Sequence, residues 1–269
     1  MADLEVLLTN DDGIDSPGLR ALYDALSEVA NVTVVAPADD QSAVGRAISL
    51  QGGPPVEEHE LGYAVGGTPV DCVVAGLAVL AEDADIVVSG CNKGANLGAY
   101  VLGRSGTVSA AVEAAFFDVP AIAVSLYIPI PEDVTFHAYQ PSPEEFAEAA
   151  RATTYLAEHA PDAGVFEGAD YLNVNAPPPG EEPADMEITS PSHVYDMTAV
   201  HEEGNVRLVD RLWERMAEGD IPDPEGTDRR AVIEGRVSVS PLTAPHTTER
   251  HEALDALAET YRTGSDVAD

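Results

Sequence analysis

Lysine is almost missing from this chain of 269 residues: Lys93 is the only one. Basic residues of both kinds number 13 against 48 acidic ones, a formal net charge of −35. So electronegative a surface repels other polyanions, which excludes nucleic-acid polymers and anionic membranes as partners. It also repels itself and destabilises a compact state at low salt. The screening length shortens to roughly 3 Å near molar salt, where that repulsion is relieved. Acid spread along the whole chain, with lysine nearly purged, therefore reads as adaptation to a salty cytoplasm. A dock for one basic partner would explain neither feature.

Cysteine is equally scarce. Cys72 and Cys91 are too few and too unpatterned for a disulfide framework or a zinc site. No apolar run approaches the roughly 20 residues of a membrane span, and Met1 leads into a strand-like run without a secretory leader, so a cytoplasmic location is expected. Nor is there a GxGxxG after the first strand, a GxxxxGK[ST] or a GxSxG, which argues against a dinucleotide fold, a P-loop and a hydrolase elbow. His59, His137, His159, His193, His201, His246 and His251 show no metal-ligand spacing and read as surface or second-lobe residues. Disorder is excluded in turn, because 45% of the residues are hydrophobic.

What is present alternates. Leu4 to Leu8 is an apolar run that stops at Thr9-Asn10-Asp11-Asp12-Gly13, a buried strand ending in a turn. Pro17 opens a segment where Leu19, Leu22, Leu26 and Val29 recur at helical spacing, and 31–36 is a second β-branched run. Strand, helix and strand make a βαβ unit with parallel strands. The pattern repeats with helices expected over 71–80 and 108–117 and strands over 86–90 and 121–125. The expected fold is α/β: a Rossmann-like, doubly wound, mostly parallel sheet whose ligand sits beyond the strands' carboxyl ends, at the switch in strand order. An amphipathic helix is expected over 142–160, a strand over 171–175, hairpins and loops over 176–228, a strand over 237–240, a closing helix over 249–261 and fraying at the last few residues. In domain terms, 1–175 reads as the catalytic unit, 176–236 as a small β-rich lobe, and 237–269 as a strand and helix packing on the core or swapped to a partner subunit.

Four loops at that one sheet edge carry oxygen-rich chemistry. Asp11 and Asp12 would repel each other if unpaired, and a hard divalent cation with oxygen ligands resolves this. The same residues also fit a plain turn with a helix cap near Asp15 or Ser16. The loop 89–98 offers glycines, including Gly94, and the amides of Asn92 and Asn96, able to meet an anion. Arg104-Ser105-Gly106-Thr107 precedes a helix and makes an anion cradle or an ordinary cap. The loop after the second strand brings Ser42 to the edge that holds Asp11. Together they suggest a metal ion and a phosphate side by side.

These segments, TNDDGIDSPG at 9–18, VVAPADDQSAVG at 34–45, GGTPVDCV at 66–73, VSGCNKGANLG at 88–98 and SGTVSAAVEA at 105–114, with LNVNAP at 172–177 and VSVSPL at 237–242, resemble the stationary-phase survival protein family, SurE, of nucleoside monophosphate phosphatases. The resemblance implies a Rossmann-like domain with a protruding lobe used for oligomerisation, giving a homodimer or homotetramer. It implies one divalent metal ion per subunit, Mg²⁺ or Mn²⁺, on Asp11, Asp12, Ser42 and Asn92. It places phosphate contacts on Asn96, Ser105, Gly106 and Thr107, to which Asn10 and Gly94 are added from their loops. The implied reaction is hydrolysis of nucleoside 5′- or 3′-monophosphates to nucleoside and phosphate, with Asp11 and Asp12 catalytic. Metal-activated water is the expected nucleophile, and Asp11 itself the lesser alternative. Two competing readings are a non-catalytic nucleotide-binding regulator and a protein merely stabilised by a cation. Arg104 and Lys93 lie in loops where family members vary.

Overall fold

A computed structural model describes residues 4–129, 138–202, 204–247 and 252–263. The expected fraying at the end of the chain, the first residues of the expected closing helix, His137 and His251 lie outside these residues.

Among the described residues, nine strands form one sheet in the order β3-β4-β2-β1-β5-β6-β7-β11-β8. They are β1 (Glu5–Thr9), β2 (Asn31–Pro37), β3 (Val56–His59), β4 (Gly62–Val65), β5 (Ile86–Lys93), β6 (Ala121–Leu126), β7 (Tyr171–Ala176), β8 (Met186–Ile188) and β11 (Val237–Leu242). Between β8 and β11, strands β9 (Met197–Glu202) and β10 (Asn205–Asp210) form a separate antiparallel hairpin. The run from β4 to β7 is parallel throughout, whereas β3 pairs antiparallel with β4 and β11 antiparallel with β7, and β8 runs parallel to β11. Strand order reverses at β1, since β2 lies on one side of it and β5 on the other. That is the switch point at which an open α/β sheet leaves a crevice.

Alternation along β1 feeds both layers of core. Val6 and Leu8 pack with α1 (Pro17–Leu26) and α5 (Ala147–His159), while Leu7 faces α2 (Pro69–Ala75) and α4 (Gly106–Phe116). Leu19, Leu22 and Leu26 of α1 have no exposure at all, and each stabilises the fold by roughly 1.5–3 kcal/mol. A third cluster, Ala95, Leu97, Tyr127, Met216, Ile221 and Val232, fastens the loop after β5 to α6 (Arg211–Ala217) and α7 (Asp228–Ile233). Asp228 completes that junction. Its carboxylate accepts from the backbone N–H groups of Gly98 at 2.7 Å, Ser192 at 2.9 Å and Arg229 at 2.7 Å.

Several elements differ from the sequence-based expectation. The expected helix over 71–80 begins at Pro69, where Thr68 and Asp71 cap each other reciprocally, and it changes to a π-helical turn over Gly76–Leu80. The helix expected over 142–160 opens with a 3₁₀ turn, Pro143–Phe146, before α5. The edge strand β3 is a correction to the sequence reading, which passes over it. Its Val-Glu-Glu-His carries no apolar alternation because most of it faces solvent. Helix α6 stands where only hairpins and loops were expected, and α7 within the stretch expected as a β-rich lobe. Their apolar anchors, Leu212 with Met216 and Ala231 with Val232, are pairs too short to show a helical period. The described closing helix is α8 (Glu252–Thr263), and no described helix is long and apolar enough to cross a membrane.

Candidate metal and phosphate site

The turn after β1 is assembled from within. Asn10 has no exposure, and its Nδ2 donates to the Gly13 carbonyl at 2.8 Å and to Ser16 Oγ at 2.7 Å. Ser16 also caps α1, accepting from the Leu19 N–H, and Pro17 follows at the position where a missing N–H costs nothing. Gly13 holds φ at +93°, which a side chain would strain, and a Cβ there would stand 3.3 Å from the backbone of Asp39. The turn-and-cap reading of this segment is thus correct, and it is the device that presents Asp11 and Asp12.

The neighbouring loops are sewn to it through the main chain. The Ile14 N–H donates to the Pro37 carbonyl at 2.8 Å, and the Gln41 N–H to the Asp11 carbonyl at 2.7 Å. Ser42 follows directly. Its N–H and Oγ both donate to Asp40 Oδ1, at 2.7 and 2.6 Å. From the other side of β1, the Lys93 N–H donates to Asp12 Oδ2 at 2.8 Å. Asn92 lies one residue before it, with Nδ2 donating to the Gly94 carbonyl, while the Gly94 N–H donates to the Leu126 carbonyl at 3.1 Å.

Helix α4 closes the arrangement. Ser105 is its N-cap and accepts from the Val108 N–H at 3.1 Å. Thr107 Oγ1 donates to Asp11 Oδ1 at 2.6 Å. Gly106 lies so close to Asp11 that a Cβ there would stand 2.7 Å from Asp11 Cβ. Only glycine permits that approach of helix N-terminus to carboxylate. The Gly45 N–H donates to the Arg104 carbonyl at 3.2 Å, joining the loop after β2 to the same helix start.

The structure therefore brings together Asp11, Asp12, Gly106 and Thr107 by direct contact, with Ser42 and Asn92 each one residue from a backbone bond to this pair. Asn96 is held a step away. Its N–H donates to Asn175 Oδ1 at 2.8 Å and its Nδ2 to Ser125 Oγ at 2.9 Å, at the ends of β6 and β7. Asn173 and Asn175 both donate to the Asn96 carbonyl, at 3.0 and 3.2 Å. Asn10, whose amide nitrogen is spent within its own turn, holds the shape of the loop. Sequence reasoning missed Asp40, whose negative charge bears on both Asp11 and Asp12. The signal was its place in the loop after β2. It also missed Ser125, Asn173 and Asn175, which only the pairing of β6 with β7 delivers to Asn96.

Electrostatics mark the carboxylates as short of counter-charge. Burial pushes the Asp11 carboxyl above its ordinary range, against the lowering effect of the Thr107 hydrogen bonds. Burial, then the charge of Asp11, pushes Asp12 up to about 7. Two such groups, flanked by a hydroxyl and an amide, are all-oxygen donors of the kind that hard divalent cations prefer. Among the described residues no group of three or more His, Cys, Asp or Glu side chains gathers as a metal site. Any cation here would rest on two carboxylates completed by neutral oxygens. The donor set fits such an ion.

The fold is a doubly wound α/β sheet with a carboxylate pair and a helix N-terminus at its switch point, the place where open α/β sheets take their ligands. The family described as "Survival protein SurE" matches residues 6–197, and the chain belongs to it. A relative named 5′-nucleotidase SurE, from Haloarcula marismortui, is 66% identical over 271 residues and covers 100% of each chain. A protein of the same name from Haloquadratum walsbyi is 65% identical, covering 96% of this chain and 97% of its own. The crystal structure of the SurE protein from Aquifex aeolicus superposes with a TM-score of 0.74 at 30% identity, over 96% of this chain and 99% of that one.

Proposed function

We infer that the chain is a nucleoside monophosphate phosphatase, a 5′-nucleotidase in reaction type, working at the carboxyl edge of β1 and β5. The observation that carries this reading is the contact of the α4 N-terminus with a buried carboxylate pair, through Gly106 and Thr107. The naming of its relatives from salt-loving archaea as 5′-nucleotidases supports it, and the charge of −35 suits such a habitat.

Asp11, Asp12, Ser42 and Asn92 would hold one divalent ion, Mg²⁺ or Mn²⁺. When bound, such an ion polarises phosphoryl oxygens and makes water a better nucleophile near neutral pH. The chain's own residues do the rest. The Thr107 hydroxyl orients Asp11, and the backbone N–H groups at the start of α4, with Ser105, offer donors to the equatorial oxygens of a phosphoryl group. Asp12, beside the ion, would orient or deprotonate an attacking water. Asn96 and Gly94 shape the floor between the two loops. Residues 176–236 are the lobe through which copies would assemble as a dimer or tetramer, and the enzyme would act in the cytoplasm.

The test is phosphate release from a panel of nucleoside 5′- and 3′-monophosphates in roughly molar potassium chloride, with Mg²⁺, Mn²⁺ or a chelator. Turnover is expected with metal and not with chelator, and Asp11→Asn should lower the rate on the order of 10²-fold or more. Full activity in Asp11→Asn sinks the assignment.

A further inference from the structure

An aromatic and cationic cluster is built on the stretch of chain between the loop carrying Asn92 and Asn96 and the start of α4. It begins at α3 (Ala99–Leu102), which continues the loop carrying Asn92 and Asn96, and it ends at Arg104, two residues before Gly106. Tyr100 is its fixed member. Its hydroxyl donates to Asp210 Oδ2 at 2.5 Å. Its ring carries the Arg104 guanidinium, whose central carbon lies 5.3 Å from the ring centroid. The Tyr195 ring meets it edge-on, with centroids 5.1 Å apart and planes at 76°. Tyr195 comes from a different part of the chain, the segment before β9. That segment is fastened to α3 where the Ala99 N–H donates to the Ser192 carbonyl at 2.9 Å and Asp228 bonds both Gly98 and Ser192.

The cluster is built for contact rather than for core. Tyr195 is 55% exposed and Arg104 is exposed, although Tyr100 beneath them is braced on three sides. In a chain with 13 basic residues and 6% aromatics, an arginine laid on a tyrosine beside a second exposed tyrosine is a concentration of the two side chains that stack on heterocyclic bases. Its position follows the substrate. Arg104 directly precedes the N-cap Ser105, and Gly106 and Thr107, the first residues of α4, meet Asp11, so the cluster adjoins the helix start at which a phosphate would be held.

Resting on the nucleotidase reading, we propose that Tyr195 and Arg104 form the subsite for the nucleobase, with Tyr100 as the positioning residue that holds both. The base lies against the exposed Tyr195 ring and the guanidinium plane. Recognition by stacking reads an aromatic heterocycle without selecting one base, so discrimination is between nucleotides and phosphate esters that lack a base.

The experiment compares kcat/KM for adenosine 5′-monophosphate with kcat/KM for ribose 5-phosphate, in the full-length chain with Mg²⁺ or Mn²⁺ at high potassium chloride. Tyr195→Ala and Arg104→Ala should each lower the ratio of the two about tenfold, the size expected for losing one stacking contact. Tyr195→Phe should keep the ratio, because the ring and not the hydroxyl makes the contact. A ratio unchanged in both alanine variants overturns the proposal. So does an equal loss on both substrates accompanied by a change in sedimentation, which would make the cluster an assembly contact. Hydrolysis of neither substrate by the parent protein defeats the nucleotidase reading instead. Adenosine binding by calorimetry then decides the subsite alone: weaker binding by Tyr195→Ala supports it, and equal affinity overturns it.

Discussion

Replacing Asp12 by asparagine should make the metal-free protein more stable above neutral pH, although it removes a residue of the site. The Asp12 carboxyl is raised from 3.8 to about 7, first by burial and then by the charge of Asp11. A raised carboxylate means that the folded state holds the proton more tightly than the unfolded one. As pH climbs from about 4 to 7, the unfolded state releases its proton first and stability falls; above 7 the whole penalty is in force. At about 1.4 kcal/mol per pH unit the penalty is at most ~4 kcal/mol, and solvent reaching this partly buried side chain trims it to about 2–3 kcal/mol. For a chain of this size that is a melting shift of roughly 5–10 °C. Asparagine keeps an oxygen to accept from the Lys93 N–H, so the loop retains its bond without the charge. Thermal melts of parent and Asp12→Asn, with chelator and high salt, would be recorded between pH 4.5 and pH 8. The curves should coincide at the acid end and separate toward pH 8, with the variant the more stable. Added Mn²⁺ should raise the parent's midpoint most at pH 8 and little at pH 5, because a cation binds the deprotonated pair. A variant that melts below the parent at pH 8 without metal refutes the electrostatic argument.

Gly106→Ala tests packing at the same point. Its Cβ would stand 2.7 Å from Asp11 Cβ, so the carboxylate or the helix must shift by a few tenths of an ångström or more. Activity should fall on the order of 10²-fold, while the fold loses only about 1–3 kcal/mol. A variant that keeps both rate and melting point shows that this contact is not tight in solution. Salt should act on the whole molecule: with a net charge of −35, the midpoint should rise by at least several degrees as potassium chloride goes from about 0.1 M to about 2 M. A flat response would show that the acidic surface is not limiting stability.

Much of the fold was legible because its signals are local. The apolar run of β1, the turn chemistry of Asn10 to Gly13, the spacing of Leu19, Leu22 and Leu26, and the cap at Ser105 each lie within a dozen residues. Their physical causes, alternation, capping and turn dihedrals, act over that range. The lobe was harder to read. In α6 and α7 the apolar anchors are too few to make a period, and β3 shows a strand's pattern on neither face because both of its faces are largely wet.

The site divides along the same line. The sequence alone singled out the side chains proposed to carry the chemistry, indicated a mostly parallel sheet, and gave the protein a charge suited to brine. Tertiary structure decided which of these groups touch. It put the α4 N-terminus on Asp11, laid the Lys93 N–H against Asp12, set Asp40 near both carboxylates, and brought Tyr195 to Tyr100 across almost a hundred residues of chain. Contacts of that kind depend on the order of strands in the sheet and on close packing between layers, and neither is written in any short stretch of residues.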